Sequence, residues 1–168
     1  CTVTVAHTTL TCNSVSGIGT DLVFVASIGS QESSSFTSTI DYARPVISSV
    51  DISNGDLTIT TGPEGLNEVE VTGTNFGPVG TPSELINVVY GSVASAYNEY
   101  ALSGRCSVSV ENTLLLCTTV AGVGTSLRWT ATLDGQSSDI FESTVSYTAP
   151  SIGSFLTLDN GMDTRGGE

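Results

Sequence analysis

The chain has 168 residues, with 17 acidic side chains against four basic ones and a formal net charge of −13. That balance argues against nucleic acid, whose recognition needs clustered Lys and Arg, and against an anionic membrane surface, which would repel it. With 39% hydrophobic and only 12% charged residues, the composition is too apolar for a disordered acidic tail, and no apolar run reaches the roughly 18–20 residues that span a bilayer.

Self-similarity orders the chain. Residues 1–45 align with 106–150 at a constant offset of 105 without a gap, and 19 of the 45 pairs are identical. Such a period is the signature of a repeat array. One complete unit therefore runs over 45–149. Residues 1–44 read as the second half of a preceding unit, and 150–168 as the opening of a following one, so the chain reads as a window on a longer array.

From the amino end, Cys1 and Cys12 frame a hairpin. Folding it about its centre sets Val3 opposite Leu10 and Val5 opposite Thr8. Ser33-Ser-Ser35 would accept O-linked sugar or simply fill an exposed strand face; no Asn-x-Ser/Thr sequon is present. Asp51, Asn54 and Asp56 gather two carboxylates and an amide around an Asn-Gly turn, and Leu158-Asp-Asn-Gly-Met-Asp163 repeats the theme. They are weak calcium candidates that miss the usual ligand register, and a plain turn accounts for them as well.

Leu57-Thr-Ile-Thr60, Glu68-Val-Glu-Val-Thr72 and Leu127-Arg-Trp-Thr-Ala-Thr-Leu133 alternate apolar and polar residues, the pattern of half-buried strands. Gly62-Pro63, Gly77-Pro78 and Asp134-Gly135 punctuate them, and only a short turn near residues 82–85 reads as helical. Trp129, aligned with Phe24, is expected in the core. Residues 79–105 form an aromatic-rich stretch. Its Tyr90, Tyr97 and Tyr100 either pack locally or form an interaction surface for a neighbouring unit, a protein or a glycan.

Cys106 and Cys117 repeat the first hairpin, with Val108 opposite Leu115 and Val110 opposite Thr113. Directly opposed cysteines suit disulfide geometry, so Cys1–Cys12 and Cys106–Cys117 bridges are expected, each contributing roughly 2–3 kcal/mol less any strain. Free thiols and zinc are the alternatives. Zinc normally takes cysteines two to four residues apart with further Cys or His nearby, and the lone His7 has no company. Disulfides imply an oxidising, extracellular or secretory compartment.

Pro45-Val-Ile-Ser-Ser-Val50, Gly73-Thr-Asn-Phe-Gly77, the Cys106/Cys117 pair, Gly122-Val-Gly124 and Tyr147-Thr-Ala-Pro150 together resemble the IPT/TIG family of immunoglobulin-like modules. The likeness covers 45–149 and both flanks, and its most specific element is the G-x-N-F-G turn. The sequence departs from the family at Thr61-Gly-Pro-Glu-Gly-Leu66 and in the length of the unit, an excess that the resemblance implies is an insertion at 79–105. The resemblance implies an all-β fold of tandem immunoglobulin-like β-sandwiches of the E-set type, extracellular and without catalytic residues. The DNA-binding members use basic loops that this acidic chain lacks.

With one His and no Lys, a Ser-His-Asp or Schiff-base arrangement has little to draw on. Glu68 and Glu70 share a strand face and read as solvated carboxylates rather than an acid/base pair. The expected protein is not an enzyme and carries no cofactor. It is a structural rod, stalk or filament whose partners are neighbouring repeats or copies of itself. An adhesion or receptor module binding a protein or glycan, and an accessory domain of a secreted enzyme, are the alternatives.

Overall fold

A computed structural model describes residues 1–52, 58–59 and 67–154. Among these the chain is all-β, and its helical pieces are two single 3₁₀ turns, Ser83–Leu85 and Val93–Ser95. The strands are β1 (Thr2–Val5), β2 (Thr9–Thr11), β3 (Ser27–Ile28), β4 (Gln31–Glu32), β5 (Val46–Ile52), β6 (Thr58–Ile59) and β7 (Glu68–Thr74). They continue with β8 (Ile86–Gly91), β9 (Tyr100–Ala101), β10 (Cys106–Val110), β11 (Leu114–Thr118), β12 (Leu127–Leu133), β13 (Gln136–Ser137) and β14 (Phe141–Tyr147).

Two sheets share one core. The first has the antiparallel order β10-β11-β7-β5. The second runs β6-β14-β12-β8-β9, with β13 beside β12; among the described residues only the β14/β6 pair is parallel. Period-two alternation decides what faces inward. β7 buries Val69 and Val71 and exposes Glu68 and Glu70; β12 buries Leu127, Trp129, Ala131 and Leu133. Val69, Val71 and Leu115 from the first sheet meet Ile86, Val88 and Trp129 from the second in a single cluster. Each large apolar side chain so buried contributes about 1.5–3 kcal/mol.

Two irregularities tune this pattern. In β5 the register slips between Ile47 and Ser49, so Ile47 and Val50, three residues apart, both face the core. The Ser48 hydroxyl, displaced by the bulge, donates to the Thr72 carbonyl at 3.1 Å. In the β10/β11 hairpin, Cys106 faces Cys117 and Val108 faces Leu115, but Val110 stands opposite Leu114 rather than Thr113. The first hairpin departs the same way, with Val5 opposite Thr9 rather than Thr8. A left-handed residue closes each turn, Asn112 at φ 62° and His7 at φ 64°, and shifts the register by one. Cys1 is bonded to Cys12 and Cys106 to Cys117, with Cα atoms 4.1 Å apart in both. The two disulfides indicate an oxidising compartment. Among the described residues no helix is long and apolar enough to cross a membrane.

The 79–105 segment, expected as an insertion, contributes to the body of the fold. It supplies β8, which lies between β12 and β9 in the larger sheet. Its Ile86, Val88 and Tyr90 alternate into the core.

Residues 1–44 reproduce the backbone geometry of 106–149. The Ala26 amide donates to Ser33 Oγ at 3.0 Å, as Ala131 does to Ser138 Oγ at 3.1 Å. Leu22 bridges Ile40 as Leu127 pairs with Val145. Burial, however, is reversed: Leu10 is 42% exposed against 0% for Leu115, and Phe24 59% against 0% for Trp129. In the later segment β5, β7 and β8 cover these side chains; nothing described covers the earlier ones.

Trp129 stacks on Tyr90 with ring centroids 4.3 Å apart, while its buried Nε1–H meets no acceptor among the described residues. An unsatisfied buried donor costs about 1–3 kcal/mol. Trp129→Phe, which installs the residue found at position 24, should therefore cost clearly less than the roughly 3–5 kcal/mol expected of Trp129→Ala. Urea denaturation of both variants measures the difference, and equal losses would contradict the account.

Candidate functional site

The richest constellation of specific contacts outside the core joins residues 15–19 and 42–44 to the turns at one end of the two-sheet body. It is built on the Gly73-Thr-Asn-Phe-Gly77 turn. A Cβ at Gly73 would collide with the Val46 carbonyl and with the ring of Phe76, which is fully buried. Asn75 takes a left-handed conformation at φ 64°, which Asn tolerates better than most residues. Its side-chain amide donates to the Arg44 carbonyl at 2.9 Å. Gly77, at φ 78°, accepts at its carbonyl from the Asn112 amide at 2.8 Å, so the turn is tied to the β10/β11 hairpin tip.

Onto this platform comes the loop of residues 15–19. Ile18 is half-buried and packs against the core cluster, and a Cβ at Gly77 would lie 2.5 Å from its Cγ2. Gly19, at φ 108°, leaves room for the Asp134 carboxylate, which a Cβ there would strike. Asn112 Nδ2 reaches Ser16 Oγ at 3.4 Å, and Gln136 Nε2 donates to the Tyr42 carbonyl at 2.8 Å. Arg44 Nε donates to the Ser137 carbonyl at 3.2 Å, and Nη2 pairs with Asp139 at 2.7 Å. The loop itself is held from behind: Tyr42 lies over Gly17 and its hydroxyl donates to the Val15 carbonyl at 2.8 Å. The contact is apolar at Ile18 and hydrogen-bonded around it, the anatomy of a protein–protein interface. Ile18, Asn75, Asn112, Gln136 and Asp139 were not among the candidates read from the sequence. An apolar residue kept between two glycines, in both Gly17-Ile-Gly19 and Gly122-Val-Gly124, was the available signal.

Beside the joint opens a cleft of about 350 Å³ lined by Ser14, Ser16, Tyr42, Asn75 and Asn112 among others. Its lining holds no carboxylate, imidazole, amine or thiol, the groups that general acid–base chemistry most often uses.

The three tyrosines, read as either packing locally or forming an interaction surface, part company. Tyr90 is fully buried and is no surface residue, because β8 turns it inward against Trp129. Tyr100 is half-buried on β9, its ring centroid 5.1 Å from that of Tyr90. It holds Val123 from both sides: its hydroxyl donates to the Val123 carbonyl at 2.7 Å and accepts from the Val123 amide at 3.0 Å. Tyr97, also half-buried, lies under the Arg128 guanidinium at 5.5 Å, and Arg128 pairs with Glu142 at 2.8 Å. Tyr97 and Tyr100 both keep some access from outside. Asp51 lies exposed within β5, opposite Glu70. Asn54, Asp56, the 61–66 stretch and the 158–163 motif fall outside the described residues. Among the described residues no three His, Cys, Asp or Glu side chains gather to hold a metal ion.

Behind the Val120–Gly124 loop, Tyr147 donates its proton to the Val120 carbonyl at 2.6 Å, so in the 2.6 Å contact between the two phenols Tyr90 is the donor. Burial raises the pKa of both phenols above the ordinary value of 10.0.

Comparison of the chain with protein-family models, with curated proteins and with solved structures finds no match.

Two outcomes follow from this geometry. Ile18→Ala is expected to lower the unfolding free energy by about 1–2 kcal/mol, below the range for a fully buried isoleucine, and Arg44→Ala by less than about 1 kcal/mol because that ion pair is exposed. Chemical denaturation checks the ranking. In alkali, an unfolded chain releases its tyrosine protons above about pH 10 while the folded chain retains those of Tyr90 and Tyr147. Stability present below pH 10 should then fall by up to about 1.4 kcal/mol per pH unit for each phenol. Tyr90→Phe should roughly halve that slope in urea titrations on either side of pH 10; an unchanged slope would refute the assignment.

Proposed function

We propose that the chain is a section of an extracellular structural array, in which immunoglobulin-like β-sandwich repeats resembling the IPT/TIG family stack into a rod, stalk or filament. Residues 45–149 form one such repeat, 1–44 the second half of the repeat before it, and 150–168 the opening of the next. The observation that carries this reading is the joint at Ile18. Consecutive repeats meet through side chains of the repeat itself, with no linker between Tyr42 and β5 to act as a free hinge. The Arg44 side chain and carbonyl both bind across the boundary. Contacts made across the boundary by both the side chain and the backbone of Arg44 oppose free bending there.

Other features agree with it. The 24 serines and 24 threonines occupy many exposed strand positions, and the acidic surface keeps copies soluble and apart in water. Cysteine pairs bonded within each hairpin suit an extracellular location. A head-to-tail contact between repeats need not close into a ring, so extension along one axis is its natural product.

Negative-stain electron microscopy of the native material tests the proposal. Straight or smoothly curved fibres with a regular axial repeat are expected. Isolated globular particles, or beads on a freely bending string, would overturn it.

A further inference from the structure

The surface that Ile18 uses at one boundary exists a second time, 105 residues later, and there it is bare. The two loops are built alike. Tyr42 and Tyr147 donate their hydroxyl protons to the carbonyls of Val15 and Val120, at 2.8 and 2.6 Å. Their amides donate to the carbonyls of Gly19 and Gly124, at 3.0 and 2.9 Å. Gly17 lies beneath the Tyr42 ring and Gly122 beneath the Tyr147 ring. Gly19 and Gly124 share the same left-handed geometry, at φ 108° and 115°. What differs is the occupant. Ile18 is half-buried against the Gly73–Gly77 turn, whereas Val123, its counterpart, is 70% exposed.

We infer that Val123 and its flanking glycines form a docking surface for the repeat that begins at Pro150, and that this repeat receives Val123 against its own G-x-N-F-G turn. The inference rests on the array reading above and adds the residues of its next joint. Val123 is presented ready-made: the Tyr100 hydroxyl is bonded to both its amide and its carbonyl, so little ordering cost remains when a partner arrives. The covalent successor is the occupant favoured by continuity, because Pro150-Ser-Ile-Gly-Ser runs like Pro45-Val-Ile-Ser-Ser, which leads from the occupied joint straight into β5. The second joint lacks one element of the first. Ala149 stands where Arg44 stands, so no counterpart of the Arg44–Asp139 pair can form there.

The test uses the full chain extended by its own repeat, residues 1–150 followed directly by 46–168. Hydroxyl-radical footprinting with mass spectrometry reads side-chain exposure. Oxidation of Val123 should fall several-fold on going from the 168-residue chain to the extended one. Val123→Asp should leave the melting temperature of the 168-residue chain unchanged and lower that of the extended chain. Val123 oxidised equally in both chains, with Ile18 still protected, would sink the inference while leaving a flexible array standing. Protected Val123 in a protein whose native form makes no fibres would instead sink the array reading alone. Should the extended chain not fold, the double substitution Ser16→Ala/Ile18→Val places the second loop's residues in the existing joint. Protection of residue 18 should survive it, and a rise in its oxidation to the level of Val123 would show that this loop does not fit such a turn.

Discussion

A missing side chain at Gly73 governs much of the molecule. Because no Cβ stands there, Phe76 can fold its ring back over β7 and the Val46 carbonyl can close onto the same strand. That one packing event fixes the exit of β7, the bulged entry of β5 and the left-handed turn at Asn75. The Phe76 amide then donates to the Asn112 carbonyl at 3.2 Å and the Gly73 amide to Thr113 at 2.9 Å, tying the disulfide-clasped hairpin to the same corner. The Ile18 joint sits on this corner, so the core and the candidate interface are held by a shared element. An alanine at Gly73 would disturb both, which is why interior packing and joint geometry are not independent quantities here.

Much of this was legible as periodicity. Glu68-Val-Glu-Val and Leu127-Arg-Trp-Thr alternate cleanly, and both became strands with the expected inward faces. The opposition of Cys106 and Cys117 needs only a count of residues. Val110 escaped the count because a left-handed Asn112 adds a bulge, and no simple pattern announces which turn residue will adopt positive φ. Tyr90 was left open between packing and a surface role for a different reason. Ile86-Asn-Val-Val-Tyr carries its own alternation, but the excess length of the unit was assigned to that stretch, and a length argument overrode a local signal.

The joint was the least visible part. Its partners lie far apart in sequence: Ile18 with Gly77, Tyr42 with Gln136, Arg44 with Asp139. None belongs to a chemical motif, since a packing contact needs only complementary shape and a few satisfied hydrogen bonds. What the sequence did carry was repetition. Residues that recur at a fixed offset do so with the same backbone geometry, and the difference between an occupied and an empty copy becomes readable only once burial is known.

The hairpin clasp has a mechanical meaning. β10 forms the outer edge of its sheet, and an edge strand is the first to peel when a chain is pulled. Cys106 and Cys117 are 11 residues apart in sequence, yet the bridge holds their Cα atoms 4.1 Å apart. Without it, the same stretch could pay out to about 36–40 Å. Each clasp therefore withholds a length of chain from extension, and a series of them would resist stretching by covalent bonds at the point where hydrogen bonds yield first.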